Sequence, residues 1–289
     1  MPTKIEKDVI SGQQTTGHEW DGVKELDTPL PKWWLYVFYA CILFAAVYCV
    51  LFPAWPGFTS YTKGVLGFSQ RQEADRSIAE LVAARAPMMN RIKAATLQEI
   101  QGNPELLNFA LNGGRTVFAD NCATCHGSGG SGNPGFPVLA DDDWLWGGTL
   151  DQIWQTIAYG VRNANEKSHQ SAMPRFGADG MLTPAQINDT AEYVLSLSNR
   201  STNAQAAERG KQVFAEQCVS CHLEGGKGNQ EVGAPRLSDN IWLYGGDKDA
   251  IVRTISYSHN GNMPAWSERF DEATIKMLAI YVHALGGGN

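Results

Sequence analysis

The chain has 289 residues, enough for about two ordinary domains. Apolar residues at 43% exclude an unfolded chain, and a mean hydropathy of −0.26 excludes a polytopic membrane protein. A formal net charge of −7 leaves no basic footprint for nucleic acid.

Residues 1–32 are mostly polar, after which Trp33 to Phe52 reads WWLYVFYACILFAAVYCVLF without a charge. About twenty residues at ~1.5 Å rise each cross the roughly 30 Å hydrocarbon core once. Lys32, Trp33 and Trp34 ahead of the run and Trp55 behind it have the character of interfacial anchors. The leader is too long and the apolar run too extended for a cleaved signal peptide, so residues 33–55 are expected to remain as an anchor. Lys24 and Lys32 on one side balance Lys63 and Arg71 on the other, so basic residues do not orient it. Cys41 and Cys49 read as small packing residues. Tyr39 and Tyr48 carry hydroxyls into the apolar layer, which favours one face of the span against other protein helices.

Residues 56–108 read as a helical connector. The stretch Ser69 to Glu99 is rich in Ala, Arg, Glu and Leu, with expected breaks at Pro87 and at Gly102-Asn103-Pro104. It holds no cluster of ligating residues.

The chain then repeats itself. GRTVFADNCATCH from Gly114 matches GKQVFAEQCVSCH from Gly210. Trp144-Leu-Trp146-Gly-Gly matches Trp242-Leu-Tyr244-Gly-Gly, Met173-Pro174 matches Met263-Pro264, and Tyr193-Val194 matches Tyr281-Val282. A unit this long is a duplicated small domain, not a solenoid repeat. The copies are expected over 109–199 and 204–289, joined by the polar NRSTN linker at 199–203.

Each copy carries C-x-x-C-H: Cys122, Cys125 and His126, then Cys218, Cys221 and His222. Two cysteines one helical turn apart reach the two vinyl groups of one porphyrin, and the adjoining histidine faces its iron. This is the attachment sequence of c-type haem. A redox dithiol does not need the following histidine, and a zinc site needs further Cys or His at ligand spacing. In each copy a Gly-x-x-x-Phe helix precedes the motif and a tyrosine-bearing helix closes the domain. This is the pattern of a class I cytochrome c, where glycine lets two helices cross closely. The expected fold is therefore mainly α, with one N-terminal transmembrane helix followed by two tandem class I cytochrome c domains. The cofactors are two covalently bound haems c.

Met173 and Met263, each stiffened by a following proline, are the candidate sixth ligands, and a thioether there raises the potential. His169 and His259 lie four residues before them and are the alternatives. Trp144, Trp146, Trp242 and Tyr244 wall the haem crevices in this reading. Arg162 and Arg253 stand either as partners of haem propionates or as solvated arginines. The glycine-rich stretch 128–135 wraps a haem. No Ser-His-Asp set, phosphate-binding glycine loop or metal-binding carboxylate cluster is present, so no catalytic residue is assigned. Covalent haem attachment takes place on the outer face of bacterial cytoplasmic membranes. The haem domains are therefore expected in the periplasm and residues 1–32 in the cytoplasm.

The N-terminal elements Gly17-His-Glu-Trp-Asp-Gly22, Val23-Lys-Glu-Leu26 and Pro29-Leu-Pro31-Lys-Trp-Trp34 add a more specific sign. With the single span and two CxxCH repeats, the chain resembles the dihaem subunit (CcoP or FixP) of cbb3-type cytochrome c oxidases over nearly its whole length. Many members of that family have two N-terminal spans, whereas this chain shows one. The resemblance implies a non-catalytic subunit carrying electrons from a periplasmic cytochrome c to a monohaem cytochrome c subunit and a haem-copper catalytic subunit that reduces oxygen and pumps protons. It also implies Met173 opposite His126 and Met263 opposite His222. A membrane-tethered dihaem shuttle is the alternative, and a dihaem peroxidase, which needs one open iron position, is a further one.

Overall fold

The computed structural model describes residues 4–286. The chain divides into two units, Met1–Val82 and Ala83–Asn289.

The first unit begins with an antiparallel hairpin of β1 (Thr15–Trp20) and β2 (Val23–Leu26), in which Glu19 faces Lys24 and Trp20 faces Val23. Its turn is Asp21-Gly22, with φ of 50° and 86°, the left-handed pair whose twist suits a two-residue hairpin. The sequence reading assigned no structure to this segment. The Asp-Gly pair between strand-forming residues is the signal that marks it. Helix α1 (Lys32–Leu51) follows, 20 residues long with a mean hydropathy of 2.2 and none of it buried by protein. A helix apolar on every side and wrapped by nothing in its own chain needs an apolar surrounding. The chain then doubles back on the last turn of α1, where Val65 N–H donates to Val50 O at 2.9 Å and Leu66 N–H to Leu51 O at 3.1 Å.

Helix α2 (Gln70–Ala94) runs without interruption through Pro87, where the sequence predicts a break. A proline removes one N–H donor and crowds one carbonyl. Flanking Ala, Arg and Met residues, all good helix formers, carry the helix past it. The second expected break is the junction between α3 (Leu97–Gly102) and α4 (Pro104–Asn121). There the Asn103 side chain accepts from Glu105 N–H and Leu106 N–H, and Pro104 occupies the first helical position, where no donor is missed.

Within the second unit, α5 (Ala123–His126), α6 (Leu150–Tyr159), α7 (Pro184–Ser196), α8 (Ala204–Gln217), α9 (Val219–His222), α10 (Lys248–Tyr257) and α11 (Glu272–His283) complete the helices. Their pairing departs from a tandem arrangement. Helix α4 packs on α11 from the far end of the chain, while α7 packs on its immediate successor α8. Phe118 of α4 meets Tyr281 of α11 with ring centroids 5.3 Å apart, and Phe214 of α8 meets Tyr193 of α7 at 5.1 Å. The closing helices are therefore exchanged. A Cβ on Gly114 would collide with the Met277 carbonyl of α11, and one on Gly210 with the Asp189 carbonyl of α7. Each glycine marks a helix crossing with the exchanged partner. Two separate cores result: one contains Phe118, Ile153, Ile157 and Leu278, the other Phe214, Ile187, Val194 and Ile251.

The physical reason lies in the α7–α8 connection. Consecutive elements joined by a short link usually pack together. Glu192, only 1% exposed, pins this link. Its carboxylate accepts from Ser201 Oγ at 2.6 Å, Thr202 N–H at 3.1 Å and Asn203 N–H at 3.3 Å, and pairs with Lys248 at 2.9 Å. With α7 taken by α8, α11 is the closing helix left for α4. The outer domain is thus built from both ends of the unit, and the inner one, closed by the α7–α8 crossing, is inserted between them.

The Ser201 hydroxyl, the Lys248 ammonium and the Thr202 amide hold the Glu192 carboxyl at about 2, below its ordinary 4.5. A depressed folded-state pKa gives stability that is fully present above pH 4.5 and is lost as pH falls toward 2. Glu192→Gln is expected to lower stability at neutral pH by about 1–3 kcal/mol, the cost of impairing a buried charge-assisted network. In thermal melts read by circular dichroism, the gap to the wild-type chain should close as pH falls through that window.

Candidate functional site

Both CxxCH motifs occupy the same kind of corner. Cys122 ends α4 and begins α5, and Cys218 ends α8 and begins α9. One helical turn then carries each motif, with His126 N–H bonded to Cys122 O and His222 N–H to Cys218 O, both at 2.9 Å. The cysteines and the histidine consequently open onto a common cavity in each copy.

The histidines are held from behind. His126 Nδ1 lies 3.1 Å from Pro137 O, and His222 Nδ1 lies 3.0 Å from Pro235 O. A carbonyl can only accept, so Nδ1 carries the proton and Nε2 keeps its lone pair for a metal. Burial pushes the pKa of both imidazoles down, which keeps them neutral. Burial also pushes the Cys122 and Cys218 thiols up to about 11. Such thiols are poor thiolates, unlike those of zinc sites or reactive dithiols. All six cysteines are free of disulfides, and among the described residues no three His, Cys, Asp or Glu side chains gather as a ligand set.

The walls facing the histidines come from the other repeat. The cavity of Cys122, Cys125 and His126 is lined by Met263, Pro264, Trp266 and Leu278. That of Cys218, Cys221 and His222 is lined by Met173, Phe176, Thr190 and Val194. The sequence expectation paired Met173 with His126 and Met263 with His222, whereas Met263 lines the His126 cavity and Met173 the His222 cavity. The exchanged closing helices bring their methionine loops with them, because each loop immediately precedes its helix.

The alternative ligands both stack on aromatic rings. His169 stacks on Trp146 at 4.1 Å and is hydrogen-bonded with Thr156 at 3.1 Å, and it lines neither cavity. His259 stacks on Tyr244 at 4.0 Å and lines the larger cavity. Trp242 lines the His222 cavity with its indole N–H buried and unpartnered, and the Arg200 guanidinium lies 5.2 Å above its ring with one buried nitrogen also unpartnered. A buried donor pair beside an apolar cavity is what an acidic edge of a bound group would satisfy. Apolar walls, a fixed neutral imidazole, two cysteines one turn apart and spare donors together fit haem c. Arg162 and Arg253 are not equivalent: Arg253 lies on α10 and Arg162 in the loop after α6. Repeat matching paired Arg162 with Arg253 and missed Asn163, because the loop that carries Arg162 and Asn163 has no counterpart of its length in the second repeat.

Comparison with known proteins gives the same answer along the chain. Residues 12–59 match the N-terminal domain of cytochrome oxidase-cbb3, FixP; residues 111–198 match cytochrome c; residues 205–282 match cytochrome c oxidase, cbb3-type, subunit III. The cbb3-type cytochrome c oxidase subunit CcoP of Azospirillum brasilense is 53% identical over 98% of both chains. The FixP subunit of Bradyrhizobium diazoefficiens is 52% identical and the CcoP subunit of Cereibacter sphaeroides 45%, each over the full length of both chains. The chain belongs to the CcoP/FixP family of cbb3-type cytochrome c oxidase subunits. As a CcoP/FixP subunit it carries two covalently bound haems c, is anchored in a membrane by α1, and serves electron transfer in the oxidase complex.

Composite cavities make a test of their own. A fragment of residues 83–200 keeps the first CxxCH but lacks Met263 and α11. It is expected to show no cooperative unfolding transition after haem attachment, whereas a self-contained tandem domain would melt as a unit.

Proposed function

We propose that this subunit takes electrons from a periplasmic cytochrome c and passes them through both haems to the monohaem cytochrome c subunit and the haem-copper subunit that reduces oxygen. In this reading α1 crosses the bacterial inner membrane, with residues 1–32 cytoplasmic and the repeats in the periplasm, where haem attachment occurs. The observation that carries the proposal is a shared wall. Pro137, Asp143, Arg162 and Tyr244 line both cavities, so the two redox sites are neighbours and an electron need not cross solvent between them.

Haem c, when bound, supplies a one-electron iron couple. The residues decide what that couple does. Cys122 and Cys125 would hold one group through thioether bonds, with His126 and Met263 as its iron ligands. Cys218 and Cys221 would hold the other, with His222 and Met173. A neutral thioether favours the reduced iron and raises the potential. Ligands on both faces leave no open position for peroxide, which favours electron transfer over peroxidase chemistry.

Two measurements test this. In a Cys122→Ala/Cys125→Ala background only the His222 haem remains. Met173→Ala is expected to abolish its sulfur-to-iron charge-transfer band and open it to carbon monoxide, while Met263→Ala leaves it unchanged. The opposite pattern would restore the tandem ligand assignment. Mild detergent purification through this chain is expected to bring b-type haem, a second c-type subunit, copper and oxygen consumption with it. Elution alone with two c haems would make the protein a tethered shuttle.

A further inference from the structure

We propose that Arg162 is a positioning residue that ties the Met173 and Met263 loops to each other, so that one side chain maintains distal ligation in both haem sites. The proposal rests on the methionine reading above.

Arg162 is placed where the two loops converge. Its Nε–H donates to Gly261 O at 2.8 Å, and Nη1–H donates to Ser171 O at 2.8 Å. Gly261 and Ser171 each stand two residues before a methionine, Met263 and Met173. The planar fork of the guanidinium therefore grips one carbonyl on each loop, and the positive charge strengthens both bonds. Its main chain is held as firmly: the N–H donates to His169 O at 2.6 Å, and its carbonyl accepts from the Asn262 amide. The residue has φ of 48°, a left-handed conformation costly for arginine that persists only where the surroundings dictate it. Both cavities count Arg162 in their lining.

Its neighbours bond the Met263 main chain. Val161 exchanges backbone bonds with Met263 at 3.0 and 2.9 Å, and Asn163 Nδ2–H donates to Met263 O and Tyr159 O, both at 2.8 Å. The second repeat passes from Tyr257 to Met263 by a much shorter route than Tyr159 to Met173 in the first. The longer segment that breaks the repeat is the one that supplies the clamp. A single cation between the cavities also makes the two sites answer together to a change at one residue.

The test uses the intact oxidase carrying Arg162→Gln, Arg162→Lys or Asn163→Ala, with haem staining to count attached groups. Readouts are the sulfur-to-iron charge-transfer bands, carbon monoxide difference spectra and a redox titration resolved into two c-type components. Arg162→Gln is expected to weaken the band, lower the potential and admit carbon monoxide at both haems. Arg162→Lys is expected to behave the same way, because one ammonium does not reproduce a two-carbonyl fork. Asn163→Ala should alter only the His126 haem. Arg162→Gln spectra like wild type, a change at one haem only, or full rescue by Lys would overturn the clamp. Should Arg162→Gln fail to assemble, Arg162→Lys decides by the same spectra. If Met173→Ala and Met263→Ala also leave the spectra unchanged, the methionine reading falls and the clamp falls with it. A change in the methionine variants without one in the arginine variants sinks the clamp alone.

Discussion

The crossing of α7 by α8 settles where every other helix of the redox unit goes. It is held by a buried carboxylate: Glu192 gathers Ser201, Thr202 and Asn203 from the linker and Lys248 from α10. Gly210 lets the two backbones meet, and the Tyr193–Phe214 pair fills the crossing. An aromatic pair of this kind adds about 0.5–1.5 kcal/mol beyond its buried area. Because a helix face buries itself against one partner at this depth, α4 is left for α11. The outer domain closes around the inner one as a result.

Exchange of helices has a chemical consequence. Each cavity takes its CxxCH from one repeat and its methionine loop from the other, so neither repeat walls its cavity alone. Loss of packing at one crossing therefore reaches the wall of the other copy's cavity. The shared wall at Pro137, Arg162 and Tyr244 brings the same two sites into contact. Duplication supplied two like domains; exchange joins them in one compact unit, Ala83–Asn289.

Electrostatics inside the cavities favour uncharged ligands. The imidazoles are kept neutral and oriented by backbone carbonyls, and the inner thiols are kept protonated by burial. Such surroundings suit thioether bonds, and charged side chains such as Arg162, Arg253 and Asp143 stand in the lining.

Read by itself, the sequence determined the membrane span, the two haem attachment motifs, the helices flanking them and the family, because each rests on local spacing or on continuous hydropathy. The Asp21-Gly22 hairpin is also a local signal, a two-residue turn between strand-forming residues. The α2 continuity through Pro87 was not legible, since neighbouring helix formers outweigh one missing donor. Which methionine faces which histidine was beyond sequence for a different reason. Two near-identical repeats offer two near-identical sets of partners, and local pattern assigns equal fit to Phe118 on Tyr193 or on Tyr281. Only the tertiary structure decided between them, through a short linker and a buried carboxylate that commit α7 to α8 and so send α11 and Met263 to the first haem.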